Sequence, residues 1–258
     1  SVGSMAAFIA GLMILVMNAA LPSLGVGVPI ILLGMFTAIV AGLLAGLLNG
    51  FLITALGIEA FIVTLGSMGI YRSLVTWLAD GGTLSLDFGL RSFYRPVYFD
   101  GILGISWPII VFALAVIIGE IIMSRTVYGR HCAATGSNEH VAHYSNVNVN
   151  RTRLISYAAL GILVGIATIM YVPRLGSASA STGVLWELEA IAAVIIGGTV
   201  LKGGFGRVWG TVIGVLILSL IGNILNLTDF VSPYLNGAIQ GIIIILAVIL
   251  QRERKTAL

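Results

Sequence analysis

The chain has 258 residues, 59% of them hydrophobic and only 9% charged, with a mean hydropathy of +1.09. Soluble domains carry roughly 25% charged residues, so a soluble globular protein is excluded and an integral membrane protein is implied. The net charge of +3 is no nucleic-acid signal, because the basic residues flank apolar runs.

A spanning helix needs about 20 apolar residues, and the composition points to an all-α, polytopic helical membrane protein. The opening SVGSMAAF carries no basic n-region and no initiating Met, so the chain is expected to start part-way into a longer sequence. Residues 5–20 form a first apolar segment, followed by a turn at 21–25. Residues 28–53 form a second. Its Ala38, Gly42, Gly46 and Gly50 recur every four positions on one helix face, where another backbone can approach closely. Residues 58–79 form a third segment, containing Arg72. A charge there faces a cavity or snorkels to the interface. Glu59 opens it, in a position that suits the helix dipole.

Residues 80–104 are a mixed loop with little basic bias, which suits the outer face. Phe93, Tyr94, Tyr98, Phe99 and Trp107 fit an interfacial aromatic belt. Residues 105–123 span again. Then comes a polar island, residues 124–153, with Arg125, Arg130, Arg151 and Arg153 against one acid, Glu139, and with all three histidines. Such a stretch must face water, and its arginine excess marks that side as cytoplasmic. Ser137 or Asn138 can N-cap a short helix through Ser145 with Glu139 in its first turn. That makes a knob for a partner's groove.

Residues 154–172 span. Residues 173–186 are small and polar, consistent with an external loop. Residues 188–201 are short for a crossing and suit a broken or tilted helix. A tight turn holds Lys202 and Arg207. Residues 208–227 and 234–250 span, and the tail is basic. With the island inside, Lys202, Arg207, Arg252, Arg254 and Lys255 also fall inside. The total is about eight membrane segments, in a single transmembrane domain with 124–153 as its cytoplasmic docking loop.

The lone Cys132 excludes an intramolecular disulfide. No GxxxxGK[ST] occurs, so the chain does not cradle a nucleotide itself, and GGFGR reads as a turn between helices. His131, His140 and His143 lack a full zinc ligand set. No GxSxG or HExxH is present.

The stretch YGRHCAATGSNEHVAHYSNVNVNRTR resembles the cytoplasmic segment of permeases from bacterial ABC importers of the ribose and galactose type. Gly129, Arg130, Ala134, Gly136, Asn138, Ala142 and Ser145 fit its pattern, while Ser137 and Asn146 stand where Gly is usual. Residues 189–199 with Gly203, Gly204, Phe205 and Gly206 resemble the family's ELxAIAAVxIGGTSLxGGxG run. Residues 61–66, FIVTLG, resemble its PFIxTLG, with Ala60 in place of Pro. SVGS resembles the end of its GIDLSVGS stretch.

The resemblance implies a permease subunit that forms the monosaccharide path and is not itself an enzyme. It implies a second permease subunit (the same chain or a relative), two cytoplasmic ATP-binding subunits and a periplasmic sugar-binding protein. No cofactor sits on this chain, ATP and Mg belonging to the partners. Gly129, Arg130, Gly136, Asn138, Glu139, Ala142 and Ser145 would serve docking. Ser1, Ser4, Asn49, Thr64, Ser67, Arg72, Asn223 and Asn226 are the candidate path lining, each of them equally suited to a helix–helix hydrogen bond. A same-architecture permease for branched-chain amino acids or another small metabolite is the neighbouring reading. An ion-coupled secondary transporter is the other class, and it would want a deep intramembrane acid.

Overall fold

The computed structural model describes residues 1–102, 104–200, 203–227 and 241–242, without the side chains of 225 and 226. In chain order the elements are α1 (Val2–Leu24), α2 (Val28–Thr54), α3 (Ala60–Leu78), β1 (Thr83–Ser85), α4 (Phe88–Tyr94), α5 (Pro96–Phe99), β2 (Gly101–Ile102), β3 (Ile105–Ser106), α6 (Trp107–Arg125), α7 (Val127–Ser137), α8 (Glu139–Tyr144), α9 (Val149–Leu175), β4 (Ser177–Ser179), α10 (Trp186–Ile196) and α11 (Val208–Leu227).

Among the described residues α1, α2, α3, α6 and α9 are long and apolar enough to cross a membrane. They fall on the first five expected spans. α1 is longer than expected: it runs through Pro22 to Leu24, and Gly25 closes it at φ 65°. α9 begins inside the polar island, at Val149, and carries Pro173 within its last turn. α10 has 11 residues, about 16 Å of rise, roughly half a hydrocarbon core. It is short for a crossing, as residues 188–201 were expected to be. The expected span at 234–250, apart from residues 241–242, together with Lys202 and the basic tail, lies outside the described residues.

The chain divides into two compact units, residues 1–112 with 150–184 and residues 113–149 with 185–258. In the first, α1 is the core. Met5, Ile9, Met13, Ile14 and Met17 are all at most 2% exposed. Gly34 of α2 sits against Met13 and Met17. Phe8 stacks on Tyr71 of α3 with ring centroids 5.4 Å apart. The small-residue stripe of α2 does what its spacing predicts. Cβ atoms on Gly42 and Gly46 would strike the Gly161 and Tyr157 carbonyls of α9, and one on Gly165 would meet the Ala38 carbonyl at 2.6 Å.

Between the helices of this unit lies a feature the sequence reading did not contain. β1 pairs antiparallel with β4, Thr83 opposite Ser179, Leu84 opposite Ala178 and Ser85 opposite Ser177. Its apolar face lies on α1, where a Cβ at Gly11 would be 3.2 Å from Leu84 Cδ1. The Asn18 side-chain amide donates to the Ser85 carbonyl at 2.9 Å, and Asn18 Oδ1 accepts from the Asp87 N–H at 3.1 Å.

The aromatic belt also needs one correction. Tyr94 is fully buried and donates its hydroxyl to the Ile169 carbonyl at 2.9 Å. Burial pushes its phenol far above the ordinary range, so it stays a neutral donor. Phe93, Phe99 and Trp107 remain exposed.

In the second unit α10 and α11 pack through glycine: Cβ atoms on Gly210 and Gly214 would strike the Gly197 and Ala193 carbonyls. Thr126 N-caps α7, accepting from the Gly129 N–H at 3.4 Å.

Candidate functional site

The polar island folds as α7 followed by α8, all of it in the second unit up to Val149. α8 exists because Asn138 starts it. Its Oδ1 accepts from the His140 and Val141 N–H groups, at 3.0 and 3.2 Å, which satisfies two of the orphan donors of a helix N-terminus. Glu139 then lies in the first turn, where an acid suits the helix dipole. Ser145 closes the helix, its N–H bonding the Val141 and Ala142 carbonyls. The next residue, Asn146, has φ 60°. Asn tolerates the left-handed region, so it meets locally the backbone demand that glycine usually meets here.

The expected docking residues separate into two groups. Arg130, Asn138, Glu139 and Ser145 are exposed. Gly129, Gly136 and Ala142 are not. Ala142 is 2% exposed and anchors α8 from beneath. A Cβ at Gly129 would strike the Met123 carbonyl, and one at Gly136 would come within 2.6 Å of the Gly204 backbone nitrogen. These glycines let the segment fold back on α6 and on the 203–204 turn. Both positions are thus enclosed by backbone, unlike the exposed Arg130, Asn138, Glu139 and Ser145.

Two residues that the sequence did not single out are exposed on α8. Val141 is 59% exposed and Tyr144 is 89% exposed. They are three apart, hence on one face of α8. The signal that could have found them was an apolar pair at helical spacing inside a segment already known to face water. Between α6, α7 and residues 199–207 lies a cavity of ≈ 430 Å³ whose lining includes Glu120, Cys132, Gly136, Gly204 and Arg207.

Three of the candidate path residues are held by backbone close to them in sequence. Ser4 is buried and donates to the Ser1 carbonyl at 2.8 Å. Thr64 donates to the Ala60 carbonyl at 2.8 Å and Ser67 to the Thr64 carbonyl at 3.2 Å. These three hydroxyls are satisfied by backbone of their own helix or its cap. Asn49 is 3% exposed and its Oδ1 lacks a protein partner. Asn223 is exposed on α11, and the side chain of Asn226 lies outside the described residues. Arg72 differs from the rest: it is half-buried and its Nη1 donates to the Ala180 carbonyl, just past β4. It therefore pins the turn after β4.

The chain matches the protein family described as "Branched-chain amino acid transport system / permease component" over residues 1–248. It is similar to the ribose import permease protein RbsC of Bacillus subtilis, 39% identical over 209 residues, which is 80% of this chain and 63% of that protein. It is similar to RbsC of Haemophilus influenzae, 34% identical over 250 residues, 96% of this chain and 75% of that protein. A third relative is the L-arabinose transport system permease protein AraH of Escherichia coli, 34% identical over 209 residues, 81% and 62% of the two chains. No solved structure matches the chain significantly.

Proposed function

The chain belongs to the family of transport-system permease components, and from that premise we propose that it forms the translocation path for a monosaccharide in an ATP-driven importer. It is a multi-pass protein of the bacterial inner membrane and a transport component, not an enzyme. Membership implies ATP-binding and substrate-binding partners. We take the finer assembly to be two permease subunits, two cytoplasmic ATP-binding subunits and a periplasmic sugar-binding protein, with ATP and Mg on the partners.

The observation that carries this reading is α8. A six-residue helix, capped by Asn138, projects Val141 and Tyr144 from the one long polar segment of a membrane protein. An exposed apolar pair on a short rigid helix is the geometry of a knob entering a groove. The chain has no phosphate loop of its own, so the knob is where an external motor would grip. Closure of the motor would move α8 as a rigid body and shift the population of two packings of the path.

The choice of a monosaccharide rests on the names of the relatives, ribose and arabinose permeases. The family description also covers branched-chain amino acids, and no residue of the chain favours them. The test is co-purification in detergent with candidate ATP-binding subunits, comparing the wild type with Val141→Asp and Tyr144→Asp. A charge at either position would have to be desolvated in the groove. We expect the wild type to retain the ATP-binding subunit and both variants to lose it while staying folded. Retention by both variants would place the motor elsewhere. Uptake of D-ribose without ATP would point to a secondary transporter instead.

A further inference from the structure

We infer that the two-stranded sheet β1–β4 carries a hydroxyl-bearing face that lines the passage of a neutral polyhydroxylated solute through the membrane. The solute class rests on the importer reading above. The location rests only on the geometry of the first unit.

Residues 177–180 read Ser-Ala-Ser-Ala, and in a strand successive side chains point to opposite faces. Ala178 is 1% exposed, whereas Ser177 and Ser179 on either side of it are half-buried. On the partner strand Thr83 and Ser85 are exposed and Leu84 is half-buried. Directly opposed residues of an antiparallel pair share a face, and Thr83 opposes Ser179 while Ser85 opposes Ser177. One face of the sheet is therefore Leu84 and Ala178, laid on α1. The other is four hydroxyls. Ser181 adds a fifth, because its Oγ lies 2.8 Å from Ser179 Oγ.

The sheet also lies at the depth of the membrane. At one end Ser85 is bonded to Asn18. At the other, past β4, a Cβ on Gly183 would stand 2.6 Å from the Gly3 carbonyl oxygen. Asn18 and Gly3 are fifteen residues apart on α1, about 22 Å of helix at 1.5 Å per residue. A hydrocarbon core is about 30 Å thick. Strand and turn thus accompany α1 through most of a crossing.

Irregular backbone at that depth is tolerated only where it is buried in protein or lines water. Here the buried side is the α1 side and the hydroxyl side is open. Residues 173–186 are therefore not a simple external loop. Arg72 holds the turn by its bond to the Ala180 carbonyl, which gives a charge within a membrane helix a fixed partner.

The chemistry of the face selects the solute. It holds five groups that each donate and accept, and no carboxylate or ammonium group. A sugar can exchange hydrogen bonds along such a row, each weak enough to leave, and the guanidinium groups of Arg72, on the Ala180 carbonyl, and of Arg91, against Gly176, stand at its margins. Residues 177–181 fell within a stretch taken as a loop, because the pairing with residues 83–85 is not visible locally.

The test uses the whole importer in proteoliposomes and a Cys132→Ser background, so that each introduced cysteine is alone. Cysteines are placed at Ser85 and Ser179 on the hydroxyl face and at Ala178 on the face against α1. A permanently charged methanethiosulfonate reagent reacts only where water reaches. We expect it to label S85C and S179C, to be slowed several-fold by saturating D-ribose, and to spare A178C. Failure to label either face position would overturn the inference.

A second variant, Thr83→Val with Ser179→Ala and Ser181→Ala, keeps the shape of the face and removes three hydroxyls. We expect D-ribose uptake to fall roughly tenfold, as three modest hydrogen bonds are lost. The melting temperature and the ATP hydrolysis rate should stay the same. Unchanged uptake would also overturn it. If the wild type takes up no D-ribose, the solute assignment fails, and labelling by the charged reagent still decides whether this face lines a water-filled path.

Discussion

At Gly46 a single methyl group would decide how close two membrane helices sit. A Cβ there would run into the Tyr157 carbonyl and stand 3.1 Å from Gly161 Cα. Both obstacles are backbone, so neither can swing away. We expect Gly46→Ala to destabilise by about 1–3 kcal/mol, the usual range for overpacking, read as a lower melting temperature in detergent. The control is Gly66→Ala on α3, where nothing lies within 4 Å of the added Cβ. There the helix-propensity gain of about 1 kcal/mol stands unopposed, and the melting temperature should hold or rise. Equal shifts at both sites would mean that α2 and α9 do not meet in this way. This contact was legible in the spacing of Ala38, Gly42, Gly46 and Gly50, because a helix repeats locally. Arg72 was not legible to the same degree: its position in an apolar run announced a cavity or a partner, but its partner, Ala180, is 108 residues away.

At the scale of one element, α8 shows how little sequence the proposed docking helix needs. Six residues cannot hold a helix by propensity alone, so the cap and the packing of Ala142 must. Asn138→Ala removes a side chain that accepts two backbone N–H bonds, a loss of about 1 kcal/mol. We expect that variant to keep its global melting temperature and to bind an ATP-binding subunit several-fold more weakly. Asn138→Asp, which keeps the cap acceptor, should restore binding. Loss with both would implicate Asn138 in direct contact with the partner. The element was readable because every determinant lies within ten residues: cap, first-turn acid and buried alanine. The sheet β1–β4 is the contrary case. Its strands are only three residues each, too short for an alternation signal, and almost a hundred residues separate them. A run of small polar residues reads as loop until its partner strand is known.

Sidedness belongs to the whole molecule, because the loops determine it together. The island carries Arg125, Arg130, Arg151 and Arg153, and residues 80–104 balance Asp80, Asp87 and Asp100 against Arg91 and Arg95, a contrast that by the positive-inside rule assigns the two to opposite sides. Basic excess marks the cytoplasm, and an ATP-binding subunit can reach α8 only from there. The lone cysteine makes this directly measurable. Cys132 is half-buried and opens onto the cavity between α6, α7 and residues 199–207, so a small thiol reagent can reach it. In vesicles holding the chain without ATP-binding subunits, a membrane-impermeant maleimide should label Cys132 from the cytoplasmic side only. Phe99→Cys in a Cys132→Ser background carries its thiol at a position 52% exposed in the opposite loop, and should label from the other side only. The reversed pattern would invert the topology and put α8 beyond the reach of any cytoplasmic motor. The docking proposal would then fall, while the hydroxyl face of β1–β4, which depends on depth along α1 and not on direction, would stand.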